Sequence, residues 1–273
     1  MKNIILKLSY ILSFSILLIS CNKNNVTPAT ANYVKVAEAV TTGSSFKVAM
    51  YANDSAFVGY NKTYIQVTDM STGNPISQAT IALHPLMDMG TMQHACPWEN
   101  PTSTANANGL FEGAVVFSMG GVNMWSVSVD VTANGKTETV KLAIPKVIAI
   151  NPVQKMVVID SVTTGGVLTQ TKYPVSIVKT SDWKVGMNRF EITMHCMQSM
   201  MVFPACDDFT VEITPEMPSM GHGSPNNVNP VSTGNGHYVG SVNFTMTGAW
   251  RVHLLIKKSG RVVSRYSYFD ITF

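Results

Sequence analysis

Gly236-His-Tyr-Val-Gly240, Phe244-Thr-Met246 and Trp250-Arg-Val252 follow one another near the C-terminal end. The same marks occur earlier, in the same order, as Gly109-Leu-Phe-Glu-Gly113, Phe117-Ser-Met119 and Trp125-Ser-Val127. Working outward, Ile81-Ala-Leu-His-Pro85 matches Val211-Glu-Ile-Thr-Pro215, and Gly59-Tyr-Asn61-Lys-Thr-Tyr-Ile65 matches Gly186-Met-Asn188-Arg-Phe-Glu-Ile192. Five landmarks in one order, over roughly seventy residues, mark an internal repeat. Each copy reads as a turn, a strand, a Met-bearing loop, a Gly-bounded strand and a core tryptophan.

The segments between the landmarks are β in character. Phe46–Ala52, Thr63–Val67, Ala79–Leu83, Leu110–Phe117, Trp125–Val131 and Thr137–Ala143 are short and rich in Val, Ile, Tyr and Thr. Turn signals such as Thr72-Gly-Asn-Pro75, Asn108-Gly109 and Asn134-Gly135 separate them. No stretch carries helical periodicity. Strands at this spacing predict an all-β chain of two tandem immunoglobulin-like β-sandwiches, one over 46–146 and one over 172–273. Residues 147–171 read as a connector with an extra strand over Val153–Ile159, and 22–45, rich in Asn, Thr, Ala and Ser, as a flexible tether.

Residues 1–21 have the form of an export signal. Lys2 and Lys7 make a basic start, Ile11–Ile19 an apolar centre too short for a membrane span, and Leu18-Ile-Ser-Cys21 closes it. The close resembles a bacterial lipobox, which implies cleavage before Cys21, acylation of that cysteine, and a lipid-anchored place in the bacterial cell envelope on the periplasmic or cell-surface side. The 19 lysines and arginines, less Lys2 and Lys7, leave 17 bases against 16 acids, a net charge of +1. That balance offers no electrostatic footprint for nucleic acid.

The methionines, 17 in number, are clustered, and most of the clusters hold histidine. His84-Pro-Leu-Met87-Asp-Met89-Gly-Thr-Met92-Gln-His94-Ala-Cys96 is the densest. Thioether sulfur and imidazole nitrogen are the donors that suit copper, above all Cu(I). The segment is too polar for a core strand, although methionine fills cores well. Alternation along an extended chain places Met87 and Met89 on one face and Met92, His94 and Cys96 on another. The second copy has Met217-Pro-Ser-Met220-Gly-His222, a three-donor set of neutral ligands. His237 and Met246 are secondary candidates there, as are Met119 and Met124 in the first copy. Trp98 stands beside the first loop.

A third cluster, Met194-His195-Cys196-Met197-Gln-Ser-Met200-Met201-Val-Phe-Pro-Ala-Cys206, occurs only in the second copy, and His195 is a further candidate ligand. Cys196 and Cys206 bracket a short loop and can pair, which leaves Cys96 free. A bridge from Cys96 to either would instead staple the two domains. The exposed Met-rich loop also suits a protein partner.

At these residues the chain resembles the FixH/YtkA-like family, whose pattern is a Met-Pro-x-Met-x-His loop, a Gly-x-Tyr-x-Gly strand and a Met-x-Gly-x-Trp strand. The second copy matches through Met217-Pro-Ser-Met220-Gly-His222, Gly236-His-Tyr238-Val-Gly240 and Met246-Thr-Gly248-Ala-Trp250. The first departs, with a longer loop and two extra residues between Met119 and Trp125. The resemblance implies an exported immunoglobulin-like domain linked to copper, near oxidase assembly or metal efflux. The expectation is therefore a non-enzymatic copper-binding lipoprotein, a carrier, buffer or accessory to an oxidase-assembly or efflux complex. The alternative is a structural or adhesive tandem lipoprotein whose Met-rich loops dock a protein. Catalytic motifs are lacking. A blue-copper site from Cys96, His84, His94 and a methionine lacks the usual closely spaced Cys-to-His loop.

Overall fold

The computed structural model describes residues 30–149, 157–179 and 181–273. The signal segment, Cys21, the tether up to residue 29 and residues 153–156 of the expected connector strand lie outside them. Among the described residues there is no helix, and so none long and apolar enough to cross a membrane.

Two sandwiches account for the strands. The first holds β1 (Val34–Val40), β2 (Phe46–Ala52), β3 (Gly59–Asp69), β4 (Thr80–Asp88), β5 (Gln93–His94), β6 (Trp98–Glu99), β7 (Phe111–Phe117), β8 (Gly121–Ala133) and β9 (Lys136–Val147). Its sheets run β1-β2-β3-β7-β6 and β5-β4-β8-β9. The second holds β10 (Val157–Thr164), β11 (Val167–Val178), β12 (Gly186–Met194), β13 (Phe209–Met217), β14 (His222–Gly223), β15 (Val228–Gly234), β16 (His237–Phe244), β17 (Ala249–Lys258) and β18 (Arg261–Thr272). Its sheets run β10-β11-β12-β16-β15 and β14-β13-β17-β18, the same order strand for strand. Apart from the added outer strands β1 and β10, this is the A-B-E-D and C-F-G arrangement of an immunoglobulin-type sandwich, with a short strand beside C.

The repeated landmarks have repeated jobs. Asn61 turns its side chain back on the bend before β3: Nδ2 donates to the carbonyls of Phe57 and Gly59, both at 2.8 Å, and Oδ1 accepts from Phe57 N at 3.0 Å. Asn188 does the same for Lys184 and Gly186 before β12. Trp125 and Trp250 are buried anchors, and each indole Nε1 donates to the carbonyl of a methionine, Met119 at 2.9 Å and Met246 at 3.0 Å. Gly113 and Gly240 let the neighbouring edge strand approach. A Cβ on Gly113 would lie 2.7 Å from Glu99 O, and one on Gly240 2.3 Å from Val228 O. Gly240→Ala is therefore expected to destabilise by about 1–3 kcal/mol, because the obstacle is backbone. A urea midpoint equal to wild type would contradict this contact.

Two expectations need correction. Val34–Val40, expected within the flexible tether, is strand β1, paired antiparallel with β2 from Val34↔Ala52 to Val40↔Lys47. As an edge strand it keeps much of its surface in water, so its residues show little of the alternation that marks half-buried strands. The connector, expected to end at residue 171, is mostly strand. The extra strand runs from Val157 to Thr164, turns at Gly165-Gly166, and pairs with β11, which starts at Val167 and continues into the second sandwich. Arg261 fixes that hairpin to β18 with two bonds to Asp160, at 2.7 and 2.5 Å, and thereby lowers the Asp160 pKa.

Candidate metal centre

In the second sandwich β13 ends on Met217, the chain turns through Met220 and Gly221, and β14 brings His222 directly opposite Met217. Strand alternation drives Met217 inward, to 3 % exposure, while Met220 at the tip is 60 % exposed. The Met217 methyl lies 3.1 Å from the point a Cβ on Gly248 would occupy, so the thioether end sits beside the 246–250 turn that carries Met246. The His222 ring stands edge-on to Trp250, centroids 5.6 Å apart, and its Nδ1 donates to Gly223 O at 3.0 Å. A carbonyl can only accept, so Nδ1 carries the proton and Nε2 of the neutral ring keeps its lone pair.

The first sandwich builds the same arrangement. Met87 ends the run of inward residues Ile81, Leu83 and Pro85 on β4 and faces His94 across β5. Asp88 braces the turn between them, accepting from Gly90 N at 2.8 Å and Gln93 Nε2 at 2.9 Å. His94 Nδ1 donates to Ala95 O at 2.8 Å, and the ring stands edge-on to Trp125 at 5.4 Å. Met89 and Met124 are partly buried against the same core, and Met124 Sδ lies 2.9 Å from the point a Cβ on Gly121 would occupy. The difference is depth. His94 is 7 % exposed, and its Nε2 is buried with no hydrogen-bond partner among the described residues. Leaving a buried polar nitrogen unsatisfied typically costs about 1–3 kcal/mol, so such an atom calls for an explanation.

Other candidates fall elsewhere. Met87 and His94 face each other, instead of dividing into the two sets expected from simple alternation; the hairpin register decides this. His84 sits on the outer face of β4, three residues from Met87 and so of opposite parity, and its Nε2 meets Asp130 at 3.1 Å. Cys96 is a free thiol in the core, its pKa raised well above ordinary by burial. With His84 turned away and Cys96 packed inside, the blue-copper constellation is not assembled. Met92, Met119 and Met246 are exposed or nearly so at the loop rims.

His237 begins β16, whose other end, Phe244, is the one that reaches Trp250, so the strand's length separates it from His222. It joins the two sandwiches instead: Nε2 bonds Glu99 Oε1 of the first at 2.8 Å, and Nδ1 bonds Glu191 Oε1 of the second at 2.7 Å. Tyr60 donates to the other Glu99 oxygen, and Arg189 to the other Glu191 oxygen. His195 is at the same junction, 3 % exposed, with an Nδ1 that has no partner among the described residues. It lines a cleft of about 670 Å³ between Trp98 and Glu99 on one wall and Met201–Ala205 on the other. Cys196 and Cys206 are joined as a disulfide, with their Cα atoms 5.9 Å apart. Nothing in the sequence pairs Glu99 with His237, 138 residues apart, since neither belongs to a local motif.

The junction has a pH signature. The bond to Glu99, foremost, raises the His237 pKa, so its contribution is complete below the unfolded value of 6.5 and is lost as pH rises through the folded value. Desolvation pushes His195 down to about 4. The folded state then binds fewer protons there than the unfolded one, and stability falls as pH drops from 6.5 towards 4. That limb amounts to about 3 kcal/mol. Stability should peak near pH 6.5, the ordinary histidine pKa, and His195→Gln should flatten the acid limb. Urea midpoints across pH test both, and an unchanged acid limb in that variant contradicts the assignment.

Among the described residues no three of His, Cys, Asp and Glu come together to hold a metal ion. The residues set opposite each other at the two hairpins are a methionine and a histidine, and thioether with imidazole is a set that suits a soft ion better than a hard one.

Comparison with known proteins agrees with the second sandwich. Residues 168–255 match the YtkA-like family. The match contains Met217, Met220, His222, Met246 and Trp250, and leaves the first sandwich outside. No curated protein matches the chain. Among solved structures it is similar to invasin, a bacterial integrin-binding protein, at 13 % identity and TM-score 0.24, covering 84 % of this chain and 39 % of that one. It is also similar to FdeC, an Escherichia coli adhesin, at 13 % identity and TM-score 0.24, covering 86 % of this chain and 65 % of that one. The chain thus spans less than two thirds of either, and the fold assignment rests on the strand order given above.

Proposed function

We propose that the protein is a non-enzymatic, lipid-anchored copper-binding protein of the bacterial envelope that holds Cu(I) at the Met/His end of each sandwich. One observation carries the reading: the same methionine, histidine and tryptophan are brought together twice, each time with imidazole Nδ1 committed to a carbonyl and Nε2 left available. His222, Met217 and either Met246 or Met220 would hold an ion in the second sandwich. His94 and Met87, with Met89 or Met124, would hold one in the first. His84, His195, His237 and Cys96 take no part.

The tryptophan ring behind each imidazole fixes its orientation and excludes water from one side. Thioethers and neutral imidazole bind without losing a proton, and so few neutral donors permit ligand-by-ligand exchange, which suits a carrier or buffer serving an oxidase-assembly or efflux partner. Attachment at the envelope rests on the lipobox-like close at Cys21. X-ray absorption of protein loaded with Cu(I) and desalted tests the site. Mixed sulfur and imidazole scattering is expected. Failure to retain copper, or oxygen-only ligation, would overturn the proposal and favour the docking reading, for which the exposed Met201 and Val202 are the available surface.

A further inference from the structure

The two Met/His ends share their construction but not their surroundings. After His222 the chain runs through Gly223 into a loop at the free end of the second sandwich. After His94 it runs through Ala95, Cys96 and Pro97 to β6, and there it meets the other sandwich: Ala95 N donates to Met200 O at 2.8 Å. Met200 belongs to the loop closed by Cys196–Cys206. That loop is held in shape by Cys196 N to Pro204 O at 2.8 Å, Gln198 N to Val202 O at 3.0 Å and Cys206 N to Met194 O at 3.1 Å. Its outer residues, Met201 to Ala205, face Trp98 and Glu99 across the junction cleft, and the Glu99–His237 bond clamps the same seam.

We infer that this disulfide-closed loop is the cover of the first sandwich's Met/His end, so that the two ends have unequal access to solvent. The second exchanges directly with its surroundings, and the first only when the seam between the sandwiches opens. This accounts for the burial of His94 beside the more open His222, and for the presence of the loop in one copy only, on the side that faces the other copy. As applied to metal, the inference rests on the function proposed above; the cover itself does not.

Hydrogen–deuterium exchange at the imidazole C2 position, read by mass spectrometry on the full chain without metal, reports solvent access of each histidine separately. His94 is expected to exchange at least about tenfold more slowly than His222. Two variants should bring His94 towards the His222 rate and expose the Ala95 amide to exchange, leaving His222 unchanged: Glu99→Gln/His237→Gln, which unclamps the seam, and Cys196→Ser/Cys206→Ser, which loosens the loop. Equal rates in the wild type would overturn the inference. So would an Ala95 amide that stays protected in both variants, or one that is released while His94 stays slow. With Ag(I) bound and a chelator added, release should show a fast and a slow phase, and the variants should abolish the slow one. A protein that takes up no Ag(I) refutes the proposed function, while the metal-free exchange rates still decide the cover.

Discussion

Trp250→Ala is expected to destabilise the protein by about 3–5 kcal/mol, the range for truncating a buried aromatic in a close-packed core. Trp250 is 1 % exposed and packs against Phe244, with ring centroids 5.3 Å apart. Removing it leaves a cavity, deprives Met246 O of its donor and frees the ring of His222. Trp250→Phe separates these effects. It refills most of the space but cannot donate, so it should lose roughly 1 kcal/mol from the bond alone, together with the packing of the second ring. Urea unfolding with an unchanged slope checks both values. A loss below about 1 kcal/mol for the alanine variant would mean that the tryptophan is not the anchor of this end.

The same residue shows what was legible in the sequence. Trp125 and Trp250, the Gly-x-Asn turns and the Gly-bounded strands could be read because each solves a local problem twice: an indole filling the core, an amide folded onto its own bend, a backbone that must come close to its neighbour. Immunoglobulin-type sandwiches followed from those repeats. β1 and the β10–β11 hairpin were harder to read, because outer strands are only partly buried and their composition follows solvent more than core. At the candidate sites, residue types were readable and facing was not. His84 and His94 look equivalent as letters, but strand parity sends one to the surface beside Asp130, and the hairpin register sets the other against Met87. His237 and His195 stand next to landmarks and near cysteines, yet they serve the seam between the sandwiches. The bond that makes His237 a bridge comes from Glu99, in the other half of the chain, and no local pattern encodes a pairing at that distance.

The second large effect concerns copper uptake. Met217→Leu/His222→Gln should remove the ion proposed for the second sandwich, Met87→Leu/His94→Gln the ion proposed for the first, and the four changes together should abolish binding. Leucine replaces methionine at nearly constant volume, which in cores usually costs less than about 1.5 kcal/mol. Both buried methionines can therefore be changed with the sandwiches intact, as circular dichroism and urea midpoints would verify. The most direct measurement is a competitive Cu(I) titration of the wild type and these three variants, with zinc as the control ion. One ion at each sandwich, lost pair by pair with little response to zinc, is the predicted result. A fourfold variant that binds Cu(I) with wild-type stoichiometry and affinity would contradict the assignment of these histidines and methionines as the site.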